Sequence, residues 1–179
     1  GIKIIGDISI YVALDSADVW TNPTLFQLDE NLKPVNVAGC PPDAFSDWGQ
    51  KWGNPIYDWD EMERCDFAWW KKRMIASARL YDVTRIDHFI GIVRYYNMPV
   101  DGVPKDGFFA KGPGIKLINA IDSVMGDAKV IAEDLGVVVP EVTELIKKSG
   151  YPGMKVLQFA FDGNTNNEHA PHNYEKNYV

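Results

Sequence analysis

Short apolar runs alternate along the chain with stretches whose apolar residues recur every three or four positions, the pattern of strand, helix, strand units around a parallel sheet. Runs that read as strands cover Lys3 to Tyr11, Val83 to Phe89, Lys129 to Leu135 and Met154 to Phe161. From about Met62 to Tyr81, residues Phe67, Trp70, Met74, Ala78 and Tyr81 fall on one helical stripe, which predicts a single helix with that stripe in the core. A second helix is predicted over Ile115 to Met125. A third opens at Pro140, a residue suited to a first helical position, and stops at Gly150. The fold class is therefore α/β.

Between the first strand and the first helix, roughly Asp15 to Asp60, the sequence is irregular and rich in Pro, Gly and Asn. Connections of that length in compact domains are usually functional or disordered, and Phe45, Trp48, Trp52, Tyr57 and Trp59 argue against disorder. The length of 179 residues suits one domain with that insertion inside it. The chain begins at Gly1 rather than Met and closes in a polar stretch containing Asn and His, so it reads as a fragment.

Composition narrows the function classes. The chain is 46% hydrophobic and 24% charged with a net charge of -7, and it holds no apolar run near the roughly 18 residues of a membrane span. An acidic balance without a block of Lys or Arg argues against nucleic acid, and a neutral polar ligand fits better. Six Trp and eight Tyr suit the flat faces of sugars, although most aromatics in any domain are core. Cys40 and Cys65 read as free thiols in a reducing, cytoplasmic setting. His169 and His172 read as loop residues rather than metal ligands. Gly112-Pro113-Gly114 lacks the Lys and Ser or Thr of a phosphate cradle and reads as a turn. No cofactor is implied.

The positions of the acids carry the chemistry. Asp7, Asp87, the pair Glu133-Asp134, and Asp162 each fall toward the end of an apolar run. In a parallel sheet those ends share one rim, where the active sites of (β/α)8 barrels and open α/β sheets lie. An acid in such a place can instead cap the following helix. Arg85 and Asp87, two apart on an extended strand, point to the same side, so the guanidinium would orient the carboxylate and favour its ionised form. Glu133 follows Val130, Ile131 and Ala132, an apolar approach that would raise its pKa and keep it protonated. Two carboxylates in different environments suit glycoside chemistry.

The segments PPDAFSDWGQKWGNP (Pro41 to Pro55), RIDHF (Arg85 to Phe89) and AEDLG (Ala132 to Gly136), with GDISIYV (Gly6 to Val12), resemble the signatures of the amylomaltase, or disproportionating enzyme, family of 4-alpha-glucanotransferases, in the same order and spacing. The resemblance implies a (β/α)8 barrel of which this chain supplies about the third to sixth strands, with a long aromatic-rich insertion. It implies Asp87 as nucleophile and Glu133 as general acid/base. It implies Asp7, Arg85, His88 and Asp134 around the sugar nearest the cleaved bond, and Tyr11, Asp43, Gln50 and Trp52 as further substrate-binding residues, Gln50 and Trp52 in a loop arching over the cleft. Donor and acceptor would be α-1,4-glucans or maltooligosaccharides. Ser9 departs from the Pro common in relatives. A third carboxylate of the family would fall just past Val179, so these residues alone are expected to be inactive. A hydrolase of the same substrates and a non-catalytic glucan-binding barrel remain as alternatives. Trp59 and Tyr57 are expected to anchor the insertion, Trp52 to meet substrate, and at least one of Trp69 and Trp70 to be core.

Overall fold

In the computed structural model, which describes every residue except Ala44, Phe45, Val137, Val138, Glu175 and Lys176, the first three expected strands and the expected helical segments form, and further short helices and a second sheet join them. In chain order they are β1 (Ile5–Ile8), α1 (Ala17–Thr21), β2 (Asn36–Cys40), β3 (Gln50–Pro55), α2 (Trp59–Arg64), α3 (Ala68–Leu80), β4 (Val83–Ile86), α4 (Ile90–Val93), β5 (Arg94–Pro99), β6 (Phe108–Lys111), α5 (Ile115–Met125), β7 (Lys129–Ala132) and α6 (Pro140–Ser149). Phe45, counted above among the aromatics of the insertion, lies outside the described residues.

Strands β1, β4 and β7 form a parallel sheet in the order β1-β4-β7. Their register sets Asp7 beside Arg85 and Ile86 beside Ala132. Because side chains alternate along a strand, one face carries the buried residues Gly6, Ile8, Thr84, Ile86, Val130 and Ala132. Helices α3 and α5 pack together and supply Trp70, Met74, Leu117, Ile118 and Ile121 to the same core cluster. Ser77 and Thr84 share a buried 2.7 Å hydrogen bond between helix and strand. Gly6 is required by a close approach: a Cβ there would stand 1.9 Å from the Tyr81 ring. On the other face Ile5 and Asp7 are exposed.

The predicted helix from Met62 to Tyr81 is two helices. Asp58 caps α2 by accepting the Glu61 N–H at 2.9 Å. The chain then turns through Asp66 and Phe67, both left-handed with φ of 52° and 49°. Such values are unusual for residues with a Cβ, and burial of the Phe67 ring, 4% exposed, together with a 2.7 Å bond from its N–H to the Met62 carbonyl, holds them. Apolar spacing does not register a turn made this way. Helices α5 and α6 form where expected, α6 with Pro140 in its first turn and Gly150 closing it at φ 70°.

The second sheet was not legible. Strands β3, β2, β5 and β6 pair antiparallel in that order, so part of the irregular insertion and the β4–α5 connection meet in one platform. Its strands are brief and carry Gly39, Gly53, Pro55 and Pro99, residues that disfavour strand assignment when read locally.

The expected strand from Met154 to Phe161 does not form. That segment begins beside β7, where the Ala132 N–H donates to the Pro152 carbonyl at 2.8 Å, then makes one isolated bridge between Gly153 and Tyr178 and a 3-10 turn over Leu157–Ala160. A strand is fixed by a ladder on its flank, not by alternation alone. Here Leu157, Phe159 and Phe161 stay exposed.

Candidate active site

Past the ends of β4 and β7 the parallel pairing runs on for one residue. The Asp87 N–H donates to the Ile8 carbonyl and the Glu133 N–H to the Ile86 carbonyl, both at 3.0 Å. Asp87 and Glu133 are thus neighbours on adjacent strands, whose usual spacing is about 4.8 Å. Both line one open pocket of about 550 Å³, together with Tyr11, Trp52 and His88.

Register explains how Asp87 is held. Asp7 lies directly across from Arg85, and Asp87 is two residues beyond Arg85 on the same side. Arg85 Nε contacts Asp7 Oδ1 at 2.8 Å and Nη2 contacts Asp87 Oδ1 at 2.9 Å. One planar guanidinium therefore orients two carboxylates from neighbouring strands.

Glu133 sits differently. It is 8% exposed, and each carboxylate oxygen accepts a backbone N–H at 2.7 Å, Oε2 from His88 and Oε1 from Leu135. Burial pushes its pKa up; the two backbone donors pull it down, Asp87 pushes it up again and Arg85 lowers it, and the net direction is upward. His88 reaches this position in a left-handed conformation, φ 52°, a strained backbone of the kind found where a site fixes geometry. Burial lowers the pKa of its imidazole, opposed by Asp87, so the ring favours the neutral form. It meets the Trp52 ring edge-on at 4.9 Å.

Trp52 and His88 also border a second pocket of about 440 Å³, lined by Asp43, Gln50 and Tyr96 on the antiparallel sheet side. Trp52 Nε1 donates to Gln50 Oε1 at 3.0 Å. Asp43 accepts the Ser46 N–H at 2.8 Å and returns its own N–H to the Ser46 carbonyl at 3.0 Å. Lys51 Nζ fastens the base of this loop to the Val100 and Gly102 carbonyls. These bonds place the β2–β3 loop beside the carboxylates.

The remaining expected residues separate from this group. Asp134 lines neither of these two pockets and accepts the Met154 N–H at 2.8 Å, which pins the segment after α6. Asp162 does not share the rim, because no strand carries it there; it is exposed and accepts the Asn164 N–H at 2.9 Å in a local turn. His169 Nδ1 accepts the Val156 N–H at 3.1 Å, and His172 contacts the Thr165 carbonyl at 2.8 Å. Among the described residues no group of three or more His, Cys, Asp or Glu could hold a metal. Trp70 is fully buried and Tyr57 likewise. Ser9, Ile10, Ala13 and Asn54 also line the pocket and were not among the expected site residues; Asn54 Nδ2 donates to the Val12 carbonyl at 2.9 Å. A larger cleft of about 960 Å³ lies on the outer face, where Glu63 and Lys116 are ion-paired, and contains none of these groups.

The chain is similar to known proteins over nearly its whole length. A family model described as 4-alpha-glucanotransferase, the glycoside hydrolase 77 family, matches residues 1–179. The 4-alpha-glucanotransferase of Clostridium butyricum is 53% identical over 180 residues, which are 99% of this chain and 37% of that protein. The 4-alpha-glucanotransferase of Thermus thermophilus is 50% identical over 97% of this chain and 35% of its own length. A solved amylomaltase from Streptococcus agalactiae, in complex with acarbose, superposes with a TM-score of 0.94 at 44% identity, covering 99% of this chain and 36% of that one. The chain thus spans little more than a third of the length of these relatives. With the signature segments in order and the carboxylates at neighbouring strand ends, the chain belongs to the 4-alpha-glucanotransferase family.

Proposed function

We propose that this chain is the catalytic segment of a 4-alpha-glucanotransferase that moves part of an α-1,4-glucan onto the 4-hydroxyl of an acceptor glucan or glucose by retaining double displacement. The observation that carries this is the shared pocket of Asp87 and Glu133 on adjacent parallel strands. Retaining glycosidases need two carboxyl groups roughly 5 to 5.5 Å apart, and the usual spacing of about 4.8 Å between neighbouring strands is compatible with that separation.

In the first half-reaction Glu133 protonates the glycosidic oxygen while Asp87 attacks the anomeric carbon. The carbon–oxygen bond to the leaving glucan breaks, and a covalent glycosyl ester forms on Asp87. Burial suits Glu133 to carry that proton. Glu133, now ionised, then takes the proton of the acceptor hydroxyl as that oxygen attacks the anomeric carbon of the glycosyl ester, and the bond from that carbon to the Asp87 carboxylate breaks, which frees Asp87. Arg85 orients Asp87 through both steps, and His88 and Asp7 belong to the same reading as groups around the reacting sugar, while Asp134 acts away from it by holding the Met154 backbone.

The second pocket supports transfer over hydrolysis. It offers the flat Trp52 ring with Gln50 and Asp43, surfaces on which an acceptor sugar can displace water. The open face of the parallel sheet, where Ile5 is 61% exposed, supports a barrel completed by further strands. Unpaired Cys40 and Cys65 support a reducing, cytoplasmic setting. Incubating the full-length protein with maltotriose tests the reading: transfer yields glucose together with longer maltodextrins, whereas hydrolysis yields only shorter sugars.

A further inference from the structure

β1 ends at Ile8, yet the next residues Ser9, Ile10, Tyr11 and Ala13 form a wall of the pocket that holds Asp87 and Glu133. Side chains from the insertion and α3 secure this wall. The Ile10 carbonyl accepts the Tyr57 hydroxyl at 2.6 Å and Arg73 Nη1 at 3.4 Å. We propose that Tyr57 and Arg73 form a positioning brace on the Ile10 carbonyl, which sets the wall of the catalytic pocket from outside it.

Several features fit a brace better than simple filling of the core. Ile10 is 2% and Tyr57 0% exposed, so water cannot replace the lost bond. The Tyr57 ring stacks on Tyr11 at 5.8 Å and 25°. Tyr11 in turn lies 6.3 Å from Trp52, whose ring meets His88. A shift at the Ile10 carbonyl therefore passes through two rings to the partition between the two pockets. Arg73 is held in place by the Trp69 and Trp70 rings, at 5.2 and 5.1 Å from its guanidinium carbon, and it is in no ion pair among the described residues. Its Nη1 reaches the Ile10 main-chain oxygen, and the Asp18 carboxylate acts on its charge. Burial pushes the Tyr57 phenol pKa upward, so its hydroxyl stays a donor over any working pH. Neither residue lines the catalytic pocket, so both act through the segment they hold.

The kinetic part of this inference rests on the proposed glucan transfer, and the test separates the two. In the full-length protein, Tyr57→Phe keeps the ring and deletes the brace bond. Amide hydrogen exchange should accelerate by at least tenfold at Asp87 and Ser16, whose N–H groups bond the Ile8 and Ala13 carbonyls at the two ends of the wall, while α3 keeps its protection. For maltotriose disproportionation, kcat should fall roughly 10- to 100-fold, the size of effect that displacement by about 1 Å produces. KM should stay within about twofold. Arg73→Met should act in the same direction and less strongly, because its bond is longer. A role confined to packing would instead lower the melting temperature with kcat per folded molecule unchanged, which would overturn the proposal. Unchanged exchange at Asp87 and Ser16 would overturn it whatever the activity. A wild-type protein that fails to disproportionate maltotriose, with the exchange result intact, would remove the function reading and leave the brace standing.

Discussion

The two sheets divide the labour of the site. The parallel sheet is held by a ladder in register, and its strand ends present Asp87 and Glu133 with Arg85 between Asp7 and Asp87. The antiparallel sheet is a platform for the β2–β3 loop, and brings Trp52, Gln50 and Asp43 beside those acids through side-chain bonds. Backbone pairing thus positions the proposed catalytic carboxylates, while strand β3 and the loop before it position the proposed substrate-binding groups Gln50, Trp52 and Asp43. Changes on the first sheet should strike kcat, and changes on the second should strike KM and the choice of acceptor.

The largest effect expected is at Asp87. Asp87→Asn keeps the shape but removes the proposed nucleophile, and disproportionation should fall by about 10⁴-fold or more, read as initial rates of glucose release. Next comes Glu133→Gln, with a loss of roughly 10²- to 10⁴-fold. Because the pKa of Glu133 is raised, its acid form persists above the ordinary carboxylate range. The wild-type rate should fall as pH rises through that raised value. In the Gln variant that alkaline limb should vanish from the pH–rate profile.

Smaller changes are expected on the second sheet. Trp52→Ala removes the ring shared by both pockets and should raise KM by about tenfold, equivalent to about 1.4 kcal/mol, with more free glucose from hydrolysis relative to transfer. Gln50→Ala frees only the Trp52 indole N–H and should raise KM by about two- to fivefold, a hydrogen bond's usual net worth of about 0.5–1.5 kcal/mol. If Trp52→Ala struck kcat as hard as Glu133→Gln and spared KM, the division between the sheets would fail.

The same division decides what could be read from the sequence. The parallel sheet was legible because its information is local: each strand is an apolar run, and Asp87 and Glu133 each come directly after the last strand residue. Asp87 and Glu133 could be placed on one rim from spacing alone. Asp162 obeyed the same rule and misled, since Met154 to Phe161 has the alternation of a strand without a ladder beside it. The antiparallel sheet depends on contacts between segments some 60 residues apart, as in the pairing of Val37 with Met98, and no local pattern encodes that. The turn at Asp66 and Phe67 and the grip of Tyr57 on Ile10 are likewise set by burial in three dimensions. Resemblance to a family supplied Gln50 and Trp52, which spacing could not.

The most direct test of the Asp87–Glu133 pair is to trap the covalent intermediate. An α-glucosyl fluoride needs no protonation of its leaving group, so in the full-length Glu133→Gln variant it should load the nucleophile while transfer to the acceptor slows. Mass spectrometry of the digested protein should then find one added glucosyl unit on the peptide containing Asp87. A label on Asp7 or Asp134 instead, or products of inverted anomeric configuration without any label, would contradict the account.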